Sequence, residues 1–317
     1  MATKILIGPS SFAEIDKTPM NRLIEAGYEV IENPYKRKLT KTELINLLSD
    51  DIVGLIAGLE TLDREVMENS RIQVISRVGA GLSNVDFNAA RDLGIGVFNT
   101  PDAPANAVAE LTIGVMLSLL RMIPQMNQTL HNRKWQKKIG NQLQGKTVVI
   151  IGFGRIGRRV CQLLIPFGVN ILVVDPYVEK NVCAKYQKLS LQEALPRADI
   201  VTIHSSGQDC IIGKKETSLL KKGVYLLNVA RGGVISEKAL IQALEDGTVA
   251  GAWLDTFEEE PYQGAMCDYQ NLILTPHVGS YTVECRLRME NEAVENLITY
   301  LNKGSRLDEE VFPQQFK

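Results

Sequence analysis

Histidine is scarce in this chain of 317 residues: only His131, His204 and His277. Imidazole, with an ordinary pKa near ~6.5, is the side chain best suited to moving a proton at neutral pH. His277 lies in Leu274-Thr275-Pro276-His277-Val278-Gly279-Ser280, just past a run that reads as a strand. Proline before it and glycine after it suggest a fixed, exposed turn, in which the ring either works as an acid/base or simply bonds to backbone. Arg231 lies in Leu227-Asn228-Val229-Ala230-Arg231-Gly232-Gly233, again past a strand. A guanidinium there could clamp a carboxylate through paired hydrogen bonds, and the two glycines would let a ligand reach the backbone. The plainer reading is a surface arginine. Glu260 closes Glu258-Glu259-Glu260-Pro261, which alone reads as a solvated acidic loop. If Glu260 touches His277, it favours the imidazolium, and the two titrate as a coupled pair.

A second constellation concerns phosphate. Thr147-Val148-Val149-Ile150-Ile151 runs into Gly152-Phe153-Gly154-Arg155-Ile156-Gly157, a helical pattern follows, and the next strand ends at Asp175, 18 residues after the last glycine. Glycine-rich loops are common, but this one follows a strand, opens a helix and has an acid at the expected distance. Gly152 allows the tight turn, Gly154 lets a pyrophosphate approach the backbone, and Gly157 lets helix and strand pack. The helix N-terminus offers free N–H groups to the phosphates. Asp175 would accept from the adenosine ribose hydroxyls and repel a 2′-phosphate, which favours NAD over NADP.

These residues must be placed by strands and helices that alternate almost throughout. Strands are expected at Lys4–Gly8, Glu29–Glu32, Ile52–Ala57, Ile72–Ser76 and Gly96–Asn99. A second set is expected at Thr147–Ile151, Asn170–Val174, Ile200–His204, Val224–Val229, Val249–Leu254 and Leu272–Leu274. Strands apolar on both faces, alternating with helices, imply parallel sheets covered on both sides. Two sets imply an α/β protein of two doubly wound parallel-sheet domains. Asn99-Thr100-Pro101-Asp102-Ala103-Pro104 is a breaker, and Ala105–Arg121 reads as one long buried helix. A last long helix, Thr282–Leu301, returns to the first domain. The expected division is 1–100 with 285–317, and 101–284. The polar tail from Asn302 to Lys317 reads as an irregular end.

Composition narrows the classes. With 35 Lys+Arg against 37 Asp+Glu, the chain has no bulk attraction for nucleic acid or an anionic membrane. The uncharged stretch Leu111–Leu120 is well short of the ~20 residues that span a bilayer, and the N-terminus has no signal-peptide core. Five scattered cysteines without a C-x-x-C pair suit a reducing compartment. The expectation is a cytoplasmic protein with no metal site.

The motifs also occur in the order and rough spacing of a known family. The glycine loop, Asn228-Val229-Ala230-Arg231-Gly232, Glu259-Glu260-Pro261 and Pro276-His277-Val278-Gly279 resemble the D-isomer-specific 2-hydroxyacid dehydrogenases. So do Arg77-Val78-Gly79-Ala80-Gly81 through Asp86, and Val108-Ala109-Glu110. The match covers nearly the whole chain. Gly8-Pro9-Ser10-Ser11-Phe12 and the segment from Asn33 to Thr40 look most like the phosphoglycerate dehydrogenase branch.

The resemblance implies a flavodoxin-like substrate domain, a Rossmann NAD-binding domain and hydride transfer between NAD and a small D-2-hydroxy acid, 3-phosphoglycerate for preference. It implies that His277 exchanges the substrate proton, that Glu260 tunes it, and that Arg231 binds the carboxylate together with backbone at Val78, Gly79 and Ala80. The cofactor side would include His204, Ala230 and Asp255, the last meeting the carboxamide unless it is only a strand-end cap. Lys36-Arg37-Lys38 and Arg77 could attract a phosphate. His131 and Trp135 fall where the family joins subunits, which implies a homodimer through the dinucleotide domain. Alternatives are reduction of glyoxylate or hydroxypyruvate, oxidation of phosphite, or an NAD-sensing protein without turnover. One departure is the segment His204-Ser205-Ser206-Gly207-Gln208-Asp209-Cys210, shorter than the family's loop and lacking its proline. No appended serine-binding domain is expected.

Overall fold

The computed structural model describes residues 3–48, 51–179, 181 and 185–303. The chain divides into two compact units, residues 1–104 with 281–317, and residues 105–280. Residues 99 and 100 stay with the first unit because they are bonded into it. Asn99 Nδ2 donates to the Ala80 carbonyl at 2.7 Å, and Thr100 Oγ1 accepts from the Gly79 N–H at 2.8 Å. Of the polar tail, Asn302 and Lys303 continue the last helix, and the remainder lies outside the described residues.

The first unit holds β1 (Lys4–Ile7), β2 (Glu29–Glu32), β3 (Ile52–Ala57), β4 (Val74–Arg77) and β5 (Gly96–Phe98). They pair in parallel in the order β2-β1-β3-β4-β5. That is the flavodoxin-like order, with its switch point at β1 and β3. Leu6, Leu55, Ala57, Ile75 and Val97 enter one buried cluster. The helix Val283–Lys303 lies on the sheet, admitted by residues without bulk. A Cβ on Gly96 would come within 2.7 Å of the Tyr300 ring, and one on Gly54 within 3.1 Å of Leu297. Ser76 Oγ donates to the Ala293 carbonyl at 2.8 Å.

The second unit adds β6 (Thr147–Ile151), β7 (Asn170–Val174), β8 (Gln187–Lys188), β9 (Ile200–Ile203), β10 (Val224–Asn228), β11 (Val249–Leu254) and β12 (Leu272–Leu274). All pair in parallel, in the order β12-β11-β10-β9-β6-β7-β8. The chain reverses its winding between β6 and β9, which places the glycine loop and His204 side by side. Alternate residues of β6 serve opposite faces: Val149 and Ile151 in one cluster, Val148 and Ile150 in the other. The helix Pro104–Leu120 fills the second of these with Val108, Met116 and Leu119. β8, polar and two residues long at the edge of the sheet, carries no apolar run that could have announced it. Among the described residues, no single helix is long and apolar enough to cross a membrane.

A buried ion pair secures the loop after β1. Arg286 donates to Glu290 at 2.6 Å and to the carbonyl and Oγ of Ser11 at 3.1 and 3.0 Å. Glu290 also accepts from the Ala13 N–H at 3.0 Å, where the backbone is left-handed (φ 57°). Burial pushes the Glu290 carboxyl up, and the Arg286 charge opposes that shift. Removing one partner of such a pair strands the other charge. Arg286→Ala should therefore lower the unfolding free energy by about 3 kcal/mol, read as an earlier urea midpoint. An unmoved midpoint would show that the pair contributes nothing net.

Candidate active site

The glycine loop has the shape its sequence requires. Gly152 is left-handed (φ +91°), and a Cβ there would lie 2.7 Å from the backbone of His204 and Ser205. A Cβ on Gly157 would come within 2.0 Å of the Gly152 carbonyl oxygen, so helix and turn touch only because neither residue has a side chain. Gly154 differs: nothing lies within 4 Å of where its Cβ would be. It is the N-cap of the helix Arg155–Leu164 and supplies no capping side chain. A helix N-terminus without a capping side chain, beside open space at Gly154, is the arrangement an anion site needs. A cavity of about 530 Å³ opens there, lined by Asn106, Gly154, Arg155, Arg158, Arg159 and Gln162 among others. Asp175 Oδ2 accepts from the Phe153 N–H at 2.7 Å, and Oδ1 accepts from Tyr177 and Val178 at 2.9 and 3.2 Å. The carboxylate is thereby fixed against the loop. Open space at Gly154 and a placed carboxylate at Asp175 fit a dinucleotide.

His204 takes a different position from a ligand-facing histidine. The ring is buried, with Nε2 2.9 Å from Thr202 Oγ1 and Nδ1 without a partner among the described residues. Its backbone, rather than its ring, abuts the glycine turn. Burial pulls its pKa down to about 3, so the imidazole is neutral.

Past β11 and β12 the acid/base residues converge. His277 Nδ1 lies 3.0 Å from Glu260 Oε2, with the two side chains 39% and 33% exposed, open enough to meet a ligand. His277 is left-handed (φ 54°), uncommon for a residue with a side chain. Asp255, 1% exposed, holds it there. Its carbonyl accepts from the His277 N–H at 2.8 Å. Its Oδ1 accepts from Thr275 Oγ1 at 2.5 Å and from Val278 N at 2.9 Å, and its Oδ2 from Gly279 N at 2.8 Å. Three of about four carboxylate lone-pair sites are thus occupied by the turn, which makes Asp255 foremost a scaffold.

Arg231 is drawn into the same group. Burial lowers its pKa, and the nearby Glu260 charge opposes the shift. One guanidinium N–H donates to the Ala230 carbonyl at 2.7 Å. Asn228 sets the turn: its Nδ2 donates to the Arg231 carbonyl at 2.8 Å, and its Oδ1 accepts from Ala230 N at 3.0 Å. Asn228 and Thr275 are working parts whose only sequence signal is a polar residue ending an apolar run.

In the first unit, the segment Val78–Ala80 is narrower as an anion site than its three amides suggest. The Val78 N–H donates to the Ala57 carbonyl at 2.9 Å, and the Gly79 N–H to Thr100 Oγ1 at 2.8 Å. Ala80 is the one of the three whose N–H has no partner among the described residues. Gly79 has a backbone conformation (φ +136°) that side chains rarely adopt, which is what favours glycine there. Arg37 is engaged with Glu43 through both terminal nitrogens, at 2.9 and 2.6 Å, and holds that carboxyl down at about 2.

Residues 113–279 match the family model for the D-isomer specific 2-hydroxyacid dehydrogenase NAD binding domain. Human D-3-phosphoglycerate dehydrogenase is 36% identical over 313 residues, covering 96% of this chain and 57% of the human protein. The chain therefore spans little more than half that relative's length. The hydroxypyruvate reductase of Thermotoga maritima is 34% identical over 274 residues, covering 83% of this chain and 89% of that protein. A protein of known structure from Thermus thermophilus superposes with a TM-score of 0.87 at 31% identity, covering 95% of this chain and 97% of the other.

The buried, neutral His204 has a consequence for stability. Its folded pKa lies below its unfolded value, so below about pH 6.5 the unfolded chain binds a proton that the folded chain refuses. Stability should fall as pH drops from about 6.5 towards 3. His204→Gln should flatten that slope in urea titrations between pH 4 and 7, and an unaltered slope would assign it to other groups.

Proposed function

The chain belongs to the D-isomer-specific 2-hydroxyacid dehydrogenase family, and on that premise we propose that it interconverts a small D-2-hydroxy acid and its 2-oxo acid with NAD. The bound nicotinamide supplies the hydride acceptor or donor. Gly152, Phe153, Gly154, Arg155, Ile156 and Gly157 would cradle the pyrophosphate, and Asp175 would hold the adenosine ribose. Ala230 and the last lone pair of Asp255 would serve the nicotinamide side, and His204, whose backbone abuts Gly152, would support the glycine turn from behind. Because Nδ1 of His277 is turned to Glu260, the substrate proton is carried on Nε2. In reduction Nε2 gives that proton to the carbonyl oxygen, and in oxidation it removes it from the hydroxyl. The Glu260 carboxylate, 3.0 Å from Nδ1, fixes the ring so that Nε2 faces the substrate. Arg231 keeps guanidinium donors for the substrate carboxylate and the carbonyl oxygen after one is spent on Ala230. Ala80 N–H would supply the backbone share of carboxylate binding.

The observation that carries this reading is the His277–Glu260 contact at 3.0 Å beside Arg231. The substrate we favour is the 3-phosphoglycerate/3-phosphohydroxypyruvate pair, on the strength of the named relatives. Unphosphorylated hydroxypyruvate is the second reading. What favours it is that Arg37 is tied to Glu43, while a buried carboxylate, Glu60, lies near Arg77 and Lys38 and opposes an added phosphate. Pairing with a second copy through residues 123–139 is proposed from the exposure of Trp135 (82%) and Ile139 (98%).

NADH oxidation measured against 3-phosphohydroxypyruvate, hydroxypyruvate, glyoxylate and pyruvate, with phosphite tested in the other direction, decides among these. His277→Ala and Arg231→Ala should each lower kcat/KM by roughly 10²-fold or more while NADH binding persists. Unchanged kcat/KM in either variant would overturn the assignment. A folded wild-type chain that binds NADH yet turns over nothing would point to sensing instead.

A further inference from the structure

We propose that Tyr262 is a positioning residue for the acid/base pair, fixing the exposed segment that carries Glu260 and so setting the proton affinity of His277. The proposal rests on the reading of Glu260 and His277 given above. Residues 258 to 260 are exposed, so burial does not hold Glu260 in place. On its own segment Glu260 is anchored by the Phe257 N–H, which donates to Oε1 at 3.1 Å, while Oε2 meets His277. Phe257 is therefore the residue whose position matters. Its ring stacks on that of Tyr262, with centroids 4.5 Å apart and planes 19° apart. Tyr262 in turn is held at its far end: its hydroxyl donates to Glu237 Oε1 at 2.6 Å and accepts from the Met266 N–H at 3.2 Å. Glu237 opens the helix Glu237–Glu245, which is capped by Ser236. Both rings pack against the buried cluster on one face of the second unit's sheet.

Two glycines leave room for this arrangement. A Cβ on Gly232, next to Arg231, would come within 2.0 Å of the Phe257 backbone, and a Cβ on Gly264 within 2.3 Å of the Tyr262 hydroxyl. The segment from Phe257 to Tyr262 is thus tied at both ends to rigid structure, with Glu260 between. Burial, and then the Glu237 contact, push the Tyr262 hydroxyl up to about 12, so it remains a donor at every working pH. The charged or titratable groups around the assembly are Arg231 beside Glu260, the neighbouring Glu258 and Glu259, and Glu237 and Cys267 facing Tyr262.

The test is a proton NMR titration of His277, its resonance identified by its loss in His277→Asn. Tyr262→Phe keeps the ring stack but loses both hydrogen bonds, and should lower the His277 pKa by about half a unit, a roughly three-fold change in proton affinity. Glu237→Ala should move it the same way. Glu237→Gln, which keeps an acceptor oxygen, should leave it at the wild-type value. In turnover, the same two lowering variants should shift the alkaline limb of kcat/KM for 2-oxo acid reduction downward without changing KM for NADH. A His277 titration identical in wild type, Tyr262→Phe and Glu237→Ala would overturn the proposal, as would an equal shift in Glu237→Gln. A wild-type chain inactive on every 2-oxo acid would refute the enzymatic reading alone, since the titration still decides the role of Tyr262.

Discussion

The buried carboxylate of Asp255 is the contact on which the turn that carries His277 depends. It binds one hydroxyl and two amides from residues 275 to 279, while its own carbonyl takes the His277 amide. A left-handed backbone costs a residue with a side chain roughly 1–2 kcal/mol, and this set of hydrogen bonds offsets it. Thr275 carries the anchoring further, because its Oγ1 also accepts from Trp253 Nε1 at 2.8 Å, and Trp253 is wholly buried in β11. The His277 ring is therefore joined to the sheet core through Asp255, Thr275 and Trp253. Preorganisation of this kind keeps an exposed imidazole aimed without burying it.

In the second unit the parallel strands end on one edge, and the candidate site residues follow them. Arg231 follows β10, Asp255 follows β11, His277 follows β12, and the glycine loop follows β6. This much was legible in the sequence, because strands apolar on both faces and short breakers mark where each one ends. The strands beginning at Lys4, Glu29, Ile52, Thr147, Asn170 and Val249 all start where the sequence pattern puts them. The edge strand Gln187–Lys188 has no such signature, since pairing with β7 alone makes it a strand.

Partnerships between distant residues were the other illegible part. Arg286 meets Ser11 across 275 positions and Asp255 meets Gly279 across 24, and no local pattern encodes either. The same holds for amide commitments: Val78-Gly79-Ala80 reads as three equivalent donors until Ala57 and Thr100 are seen to occupy two of them. Charge is similarly deceptive. Arg37 reads as a cation in a basic run, yet in the fold it belongs to Glu43 and to the capping box that starts the helix Lys41–Leu47.

The left-handed conformation of His277 also bears on how such a protein could change over time. Asparagine and glycine occupy that region of backbone space most readily, and both lack an imidazole. Drift at this position is thus biased towards replacements that fold well and cannot move a proton. A lineage in which the imidazole was no longer selected could lose it here with the fold and the dinucleotide loop intact.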